Sequence, residues 1–326
     1  MNTPLVSVCI PTYNQEQFVS EALGSVLTQD YENLQILVLD DCSTDSTLEI
    51  ARVAAGADAR VVIQKNSANM GMVRNWNHAL ELSRGKYIKF LFGDDLLSPP
   101  DAIGMMVRLM ESNSSLALVS SAREIIDDSN NLLSVISSFP GNFFSNGRKV
   151  IRNTLLGITR VHNPVGEPSA VMFRRDLAGR GFNGRYNQLV DIEMWFHLLE
   201  QGDFAYIDHP LCSFRQHDGQ QTMKNIASLG FIDDLLMLLD DYRRKPYAGM
   251  GLLDIAYMRY YQLHKLQKHA RQGKFDMDMV NSKIDTLYGR KKFASMLLFY
   301  RLYSPYWNLK IRLGKIFSSR QKHTGN

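Results

Sequence analysis

The strongest constraint on the fold is an alternation between short β-branched runs and helix-period segments, which extends from residue 5 to about residue 120. Such an alternation predicts a largely parallel sheet with helices on both faces. Ligands of these sheets bind outside the carboxyl ends of the strands, so the residues that follow each strand are the candidate site. The predicted strands are Leu5–Ile10, Leu34–Leu39, Arg60–Gln64, Lys86–Phe92 and Leu116–Ser121, and the predicted helices are Glu16–Thr28, Ser46–Ala55, Val73–Leu82 and Pro100–Ser112.

Beyond this stretch the sequence pattern is less regular. Residues 123–168 contain many Ser, Asn and Gly residues and predict loops. Strands are predicted at Ser169–Phe173 and Phe204–Ile207. A helix is predicted at Asp191–Glu200, where apolar side chains recur at helical spacing.

The last third of the chain has a helical pattern from Ile226 onward, with breaks near Lys245–Pro246 and Ser304–Pro305. At the second break, Ser as N-cap and Pro at the first helical position predict the start of a new helix. We therefore expect an α/β domain with a mixed, mostly parallel sheet over residues 1–222 and a helical region over residues 223–326.

The composition is that of an ordinary globular protein. Of the 326 residues, 45% are hydrophobic and 21% are charged, which argues against a disordered or collagen-like chain. Cys9, Cys42 and Cys212 form an odd set without paired spacing, which favours a reducing compartment and indicates no zinc site. Residues 1–4 lack a basic leader region and no run of 18 apolar residues occurs, so we expect neither a secretory signal nor a membrane span.

Positive charge is concentrated near the carboxyl end. From residue 286 onward there are nine Lys or Arg residues and no Asp or Glu, whereas the rest has a net charge of −5. This distribution favours contact of residues 290–322 with an anionic surface rather than with nucleic acid. A helix on a membrane surface and a helix packed on the body or on a partner subunit both fit the apolar face of this segment. That face is formed by Tyr306, Leu309, Leu313, Ile316 and Phe317.

The first two predicted strands end in polar residues. Pro11-Thr12-Tyr13-Asn14 follows the first strand, where a dinucleotide-binding turn would require G-x-G-x-x-G. Asn14 by itself fits an ordinary helix N-cap. Asp40 and Asp41 follow the second strand, although adjacent carboxylates repel each other and are not needed to end a strand. A carboxylate at this edge can accept the ring N–H of a pyrimidine base.

The third and fourth strands supply further candidates. Gly71 permits a tight turn after the third strand, and Arg74 is either a solvated helix residue or a donor to a nucleotide. The apolar fourth strand ends in Gly93-Asp94-Asp95, which either forms a simple turn or supplies carboxylate oxygens for Mg²⁺ or Mn²⁺ beside a diphosphate. Because neighbouring strand side chains point to opposite faces, we expect only one of the two carboxylates to bind a cation directly, unless Gly93 has already ended the strand.

Together these segments resemble family 2 glycosyltransferases with the GT-A fold. The matching segments occur in the order and with the approximate spacing of the family, and they cover about residues 5–220. They are P-T-Y-N at 11–14, D-D-C-S-T-D at 40–45, N-M-G-M-V-R-N at 69–75, F-G-D-D at 92–95, V-D-I-E-M-W at 190–195 and F-R-Q-H at 214–217.

The resemblance implies a nucleoside-diphosphate sugar as the donor. Thr12, Tyr13 and Asp41 would line the nucleobase pocket, and Arg74 would contact the nucleotide. A UDP- or dTDP-sugar fits Asp41 best, because uracil and thymine each offer a ring N–H.

The resemblance also implies a divalent cation, Mn²⁺ or Mg²⁺, on the donor diphosphate. Asp94 would hold the cation as the last acid of a D-x-D element. Asp95 would face the donor sugar or support the metal shell, and His217 would contact the diphosphate or complete that shell. The first acid of the element is replaced by Phe92, which removes one carboxylate contact to the ribose or the metal.

The implied reaction is a direct displacement that inverts the anomeric centre. Asp191 would be the general base that takes the proton of the acceptor hydroxyl, with Glu193 as the second choice. Asp191 also fits a helix N-cap, and Val190 replaces the Glu that precedes the base in many relatives. Glu167 would contact the donor sugar or the acceptor, or be only a loop carboxylate.

The expected acceptor is a hydroxyl of a glycan or of a polyprenyl-diphosphate-linked chain in the synthesis of O-antigen, capsule or exopolysaccharide. For such an acceptor we expect the protein in the cytoplasm, peripheral on the inner face of the membrane. Two other interpretations are weaker. A sugar-1-phosphate nucleotidyltransferase would need a glycine-rich loop after the first strand, and a degenerate GT-A domain acting as a membrane-associated assembly factor would be expected to lack Asp94 or Asp191.

Overall fold

The computed structural model describes residues 3–157, 163–217 and 229–320, with side chains up to residue 312. The chain forms two compact units, of which the first comprises residues 1–150, 160–186 and 190–218 and the second residues 151–159, 187–189 and 219–326. The predicted domain boundary between residues 222 and 223 lies outside the described residues and stays a prediction. The same is true of the side chains of Leu313, Ile316 and Phe317.

The first unit is built around one mixed sheet. In chain order the described strands are β1 (Val6–Thr12), β2 (Leu34–Asp40), β3 (Val61–Lys65), β4 (Tyr87–Phe90), β5 (Leu96–Leu97), β6 (Leu116–Ile126), β7 (Leu132–Ile136), β8 (Phe143–Ser145), β9 (Val171–Arg174) and β10 (Asp203–Arg215). They pair in the order β3-β2-β1-β4-β9-β6-β10-β5, with β7 on β6 and β8 on β10.

Strand direction brings several strand ends to one edge of the sheet. β1 pairs in parallel with β2 and β4, and β6 pairs in parallel with β10. β9 lies antiparallel between β4 and β6, so β6 runs in the same direction as β4. The carboxyl ends of β1, β2, β4, β6 and β10 therefore lie at the same edge, where ligands of open α/β sheets bind.

Helices cover both faces of this sheet. In chain order they are α1 (Val19–Leu27), α2 (Thr47–Ala55), α3 (Met72–Leu82), α4 (Ala102–Ser112), α5 (Gly147–Leu155) and α6 (Val190–Leu199). All seven residues of β1 are buried, as expected of a parallel strand covered on both sides. α1 and α4 contribute Leu23 and Met106 to an aliphatic core. An aromatic cluster contains Trp76 of α3 and Trp195 of α6, each in ring contact with Phe182.

The second unit is helical in its described part. After residue 229 it contains α7 (Gly230–Arg243), α8 (Leu252–Arg271), α9 (Met277–Leu287) and α10 (Arg290–Arg320). Asp276 caps α9 by accepting a hydrogen bond from the backbone N–H of Met279 at 2.7 Å. Within the described residues, no helix is long and apolar enough to cross a membrane.

The predicted alternation over residues 5–120 is confirmed, but the region after it is more regular than predicted. β6 continues to Ile126, and β7, β8 and α5 occupy part of the predicted loop region 123–168. The extension is stable as a strand because β7 pairs with one side of it and β10 with the other. The predicted strand Phe204–Ile207 is likewise a part of β10, which extends to Arg215.

Two predicted helix starts are wrong. Asn14 does not cap α1, which begins at Val19; instead Asn14 has a φ of +53° and its side chain accepts a hydrogen bond from Thr44 N. No helix begins at Ser304, because Pro305 lies inside the continuous helix α10. The aromatic side chains before and after Pro305 pack on α8, which holds both halves of α10 in line.

Candidate functional site

A carboxylate and an imidazole meet at the shared sheet edge. Asp94 follows β4 and His217 follows β10, and the His217 Nε2 lies 3.1 Å from the Asp94 Oδ2. Both side chains are 13% exposed, so each can still reach a ligand. The structure thus brings together the two residues that the sequence assigns to the diphosphate, although 123 positions separate them along the chain.

Arg215 lies behind this pair and fixes it in place. Its buried guanidinium donates from Nε to the Asp94 carbonyl at 2.8 Å and from NH2 to Glu21 at 2.9 Å. The guanidinium lies 4.6 Å from the ring centroid of Phe18, and the Phe18 ring is 5.0 Å from the ring of His217. Arg215 therefore acts on both Asp94 and His217 without being exposed to a ligand.

Asp95, unlike Asp94, is fully buried. One carboxylate oxygen accepts the backbone N–H of Arg215 at 3.0 Å, and the other accepts the hydroxyl of Ser169. Burial raises the pKa of Asp95 well above its ordinary value, and the charge of Asp94 raises it further. Of the two roles left open for Asp95, support of the neighbouring pair fits this position, whereas contact with a donor sugar does not.

The second carboxylate of the D-D segment organises the loop after β3. Asp41 is buried and its Oδ1 accepts the Asn66 side-chain N–H at 2.9 Å and the Met70 backbone N–H at 2.8 Å. Its Oδ2 accepts the Gly71 N–H at 2.9 Å. Gly71 has a φ of +81°, which favours glycine and turns this N–H toward Asp41. Asp40 instead closes its own turn by accepting the Ser43 N–H at 3.0 Å.

The other predicted nucleotide contacts lie near this loop. Thr12 is buried at the end of β1, and a Cβ on Gly93 would lie 3.0 Å from its methyl group, so the turn after β4 packs closely on β1. Tyr13 is 47% exposed and is free to contact a base. Arg74 is exposed on α3 and lines an open cleft of about 570 Å³ together with Lys65 and Met70.

Asp191 is the second half-buried carboxylate of the site. It is the second residue of α6 and not an N-cap, and its Oδ2 accepts the Asn163 side-chain N–H at 3.1 Å. Burial raises its pKa to about 7, with the charge of Glu167 adding to this shift and that of Arg123 opposing it. A carboxylate that ionises near neutral pH suits a general base.

Glu167 lies beside Asp191 and is held by an ion pair. The buried side chain of Arg123, on β6, pairs with the Glu167 carboxylate, and a second nitrogen of the guanidinium lies 3.3 Å from it. Glu167 is 31% exposed, so part of its carboxylate remains accessible. It is therefore more than a solvated loop carboxylate.

Glu193, the second choice for the base, is engaged elsewhere. Its side chain is 4% exposed, and both of its oxygens bind the Arg180 guanidinium, at 2.6 and 2.7 Å. A carboxylate that is buried and fully paired cannot readily accept the proton of an acceptor hydroxyl.

The two residues that depart from the family pattern are both apolar and lie in packed surroundings. Phe92, in place of the first acid of the D-x-D element, stacks on Trp76 with ring centroids 5.1 Å apart. Val190, in place of a Glu, is buried at the start of α6. Both positions therefore contribute to packing rather than to a polar surface.

Several residues that shape the site are not singled out by the sequence pattern. Arg123, Asn163 and Ser169 lie in the stretch that predicts loops or at its border, and Asn66 precedes the recognised N-M-G-M-V-R-N segment. For Arg123 the sequence offers one signal, a positively charged residue within the otherwise apolar segment L-A-L-V-S-S-A-R-E-I-I.

Among the described residues, no three or more His, Cys, Asp or Glu side chains lie together as a preformed metal site.

The sheet order and the strand ends at one edge are those of the GT-A glycosyltransferase fold. One solved structure with this fold is S. aureus TarS 1–349 in complex with UDP-GlcNAc, with a TM-score of 0.61, 17% identity, and coverage of 81% of this chain and 72% of that chain. Another is the mannosyltransferase PcManGT from Pyrobaculum calidifontis in complex with GDP-Man and Mn²⁺, with a TM-score of 0.58, 17% identity, and coverage of 98% and 88%.

Sequence comparison assigns the family. Residues 7–182 match the model described as Glycosyl transferase family 2. Over 232 residues the chain is 33% identical to the uncharacterized protein MT1568 of Mycobacterium tuberculosis, covering 69% of this chain and 71% of that protein. Over 226 residues it is 32% identical to the chondroitin synthase of Escherichia coli, covering 67% of this chain and 30% of that protein. The chain therefore belongs to glycosyl transferase family 2.

Proposed function

We propose that the protein transfers a sugar from a nucleoside-diphosphate sugar to an acceptor hydroxyl with inversion at the anomeric carbon. The observation that carries this proposal is the contrast between two carboxylates of one site. Asp94 is paired with His217, whereas Asp191 is half-buried and has a pKa of about 7. A carboxylate beside an imidazole suits a divalent cation, and a carboxylate that ionises near neutral pH suits a general base.

Asp191 supplies the base in this mechanism. As the acceptor oxygen attacks the anomeric carbon, the bond from that carbon to the diphosphate oxygen breaks, and its electron pair leaves with the nucleoside diphosphate. The proton of the acceptor hydroxyl passes to Asp191. Asn163, which donates to the Oδ2 of Asp191, keeps that carboxylate oriented, and a single displacement of this kind inverts the configuration.

Asp94 and His217 would hold the cation, Mn²⁺ or Mg²⁺, on the donor diphosphate. A carboxylate oxygen and an imidazole nitrogen 3.1 Å apart at an accessible edge are a donor set that suits Mn²⁺, with diphosphate oxygens completing the shell. When bound, the cation supplies positive charge that stabilises the leaving diphosphate. The position of Asp94 depends on Arg215, whose Nε donates to its carbonyl.

The hydrogen bonds of Asp41 support a uridine or thymidine donor. A carboxylate offers about four acceptor positions, and three of those on Asp41 are used by Asn66, Met70 and Gly71. The remaining position can accept one ring N–H, as uracil and thymine present. Guanine presents a ring N–H beside an amino group. To bind both groups, Asp41 would need two free acceptor positions.

For the acceptor we propose a hydroxyl of a glycan or of a lipid-linked chain in cell-surface polysaccharide synthesis. The similarity to the chondroitin synthase of Escherichia coli and, at 27% identity, to the putative teichuronic acid biosynthesis glycosyltransferase TuaG of Bacillus subtilis supports this class. We also propose a cytoplasmic location, which agrees with three unpaired cysteines, two of them buried. The GT-A domain would span residues 1–222 and the helical region residues 223–326.

Release of nucleoside diphosphate from a panel of UDP-, dTDP- and GDP-sugars tests the proposal. The assay is run with Mn²⁺, Mg²⁺ or EDTA on the wild-type protein, on Asp94→Ala and on Asp101→Ala, a surface control at the residue that precedes α4. Metal-dependent release from a UDP- or dTDP-sugar that is lost only in Asp94→Ala is expected. Release that Asp94→Ala leaves unchanged would contradict the site.

If no donor turns over, calorimetric titration of the same panel decides between two functions. Binding of one nucleotide sugar would leave the transferase in place and point to a required acceptor. Absence of binding across the panel would favour the degenerate domain, for which the stacking of Phe92 on Trp76, in place of an acid, is the supporting observation.

A further inference from the structure

α10 of the second unit has two different faces, and one of them is fixed on α8. Tyr257 of α8 contacts the rings of Tyr300 and Trp307 at 5.3 and 5.2 Å. Asp254, which is buried at the start of α8, accepts the Tyr303 hydroxyl at 2.9 Å and the Lys310 ammonium at 2.7 Å. These contacts set the rotation of α10 about its own axis, so its outward face is determined as well.

The outward face of α10 is apolar. Leu298, Leu302, Tyr306 and Leu309 are 67, 73, 51 and 55% exposed. Their spacing of four, four and three residues places them on one side of the helix, and we call them the apolar stripe. Single exposed leucines are common on protein surfaces, but a continuous row over three helical turns marks an interaction surface.

Positive charge borders the apolar stripe. At 100° per residue, Arg301 and Arg312 fall beside one edge of the stripe. Lys291 lies in line with the stripe itself, nearer the start of the helix. All three side chains are exposed. No acidic residue occurs from Thr286 to the end of the chain, so no carboxylate of this segment offsets the charge.

We propose that the apolar stripe is the surface by which the protein lies on an anionic lipid membrane, with α10 parallel to the membrane plane. An apolar helix face bordered by Lys and Arg is the pattern of interfacial helices. The leucines would enter the acyl boundary, while Arg301 and Arg312 would remain among anionic head groups. Charge favours this partner over a second copy, because two stripes facing each other would bring two sets of cations together. The inference deepens the proposed function, since a lipid-linked acceptor is presented at such a surface.

Sedimentation with lipid vesicles tests the inference on the full-length chain. Vesicles of phosphatidylcholine with phosphatidylglycerol are compared with vesicles of phosphatidylcholine alone, at low and high salt. The wild-type protein is expected to bind the anionic vesicles and to lose most of this binding at high salt. Leu302→Glu is expected to weaken binding by about tenfold or more, because it removes a leucine that would enter the membrane and adds a negative charge. Arg301→Gln and Arg312→Gln are each expected to weaken it by about fivefold.

Val53→Glu is the matched control, because Val53 on α2 is 73% exposed, as Leu302 is. Its vesicle binding is expected to equal that of the wild-type protein. Equal binding by Leu302→Glu and the wild-type protein, or no wild-type binding to anionic vesicles, would overturn the inference. A concentration-dependent dimer that Leu302→Glu dissociates in analytical ultracentrifugation would assign the stripe to a second copy instead.

Nucleotide binding in solution separates this inference from the proposed function. UDP and dTDP are titrated into the wild-type protein and into Leu302→Glu without vesicles. Unchanged nucleotide binding with lost vesicle binding is expected. A protein that binds vesicles through the stripe but binds no nucleotide would leave the membrane surface intact and refute the transferase proposal.

Discussion

The pH dependence of turnover is expected to report the surroundings of Asp191. Its pKa is about 7, because burial and then Glu167 raise it. The base must be ionised to accept a proton, so kcat/KM is expected to rise with pH through about 7. Glu167→Gln removes the nearby negative charge and leaves the positive charge of Arg123, which is only 4% exposed, without its partner. Both changes favour the ionised form of Asp191.

The expected shift is about one pKa unit downward, equivalent to about 1.4 kcal/mol, because Glu167 is partly exposed and solvent screens its charge. At pH 6 the wild-type protein would then retain about a tenth of its plateau rate and Glu167→Gln about half. The assay is nucleoside diphosphate release between pH 5 and 9. The plateau rate itself is free to change, because the family resemblance also implies a contact of Glu167 with the donor sugar or the acceptor.

Glu193→Gln is the control for this experiment. Glu193 is also an acid on α6, but Arg180 binds it and it does not contribute to the shift of Asp191. The midpoint of its acid limb is therefore expected to stay at about 7. A wild-type midpoint near 4, or a midpoint that Glu167→Gln leaves in place, would refute the assignment of Asp191 and its surroundings.

Three further substitutions have expected outcomes. Asp95→Ala should lower the unfolding free energy by about 1–3 kcal/mol in chemical denaturation, because it removes two buried hydrogen bonds. Asn66→Ala should weaken nucleotide binding by roughly tenfold in calorimetry, because Asn66 donates to Asp41, and an unchanged affinity would refute this link. Arg180→Ala should lower the thermal midpoint, because it leaves the Glu193 carboxylate buried without its partner, while the acid limb stays near pH 7.

The strand-end residues of the site could be predicted from sequence because parallel strands deliver their carboxyl ends to one edge. The parallel strands predict that Thr12, Asp41 and Asp94 lie at one edge. The different surroundings of Asp94 and Asp95 do not come from strand alternation, because β4 ends at Phe90 and both residues lie in the turn that follows it. His217 could be assigned only through family resemblance, because local pattern holds no information about a contact across 123 positions.

The residues that could not be predicted act through long-range contacts. Arg123 has a partner 44 positions away, and Asn163 reaches Asp191 across 28 positions, so neither pairing leaves a trace in local periodicity. Pro305 is the opposite case, since its local signal for a helix start is strong but the packing of Tyr300 and Trp307 on α8 overrides it. Tertiary packing, and not propensity, decides such positions.

The most direct test of the central claim is the turnover of Asp191→Asn at saturating donor. Asparagine keeps the shape of the side chain and can still meet Asn163, but it cannot take up the proton of an acceptor hydroxyl. A loss of about 10²–10⁴-fold in kcat is predicted, with donor affinity unchanged. Turnover within a few-fold of the wild-type rate would show that another group is the base and would contradict the mechanism.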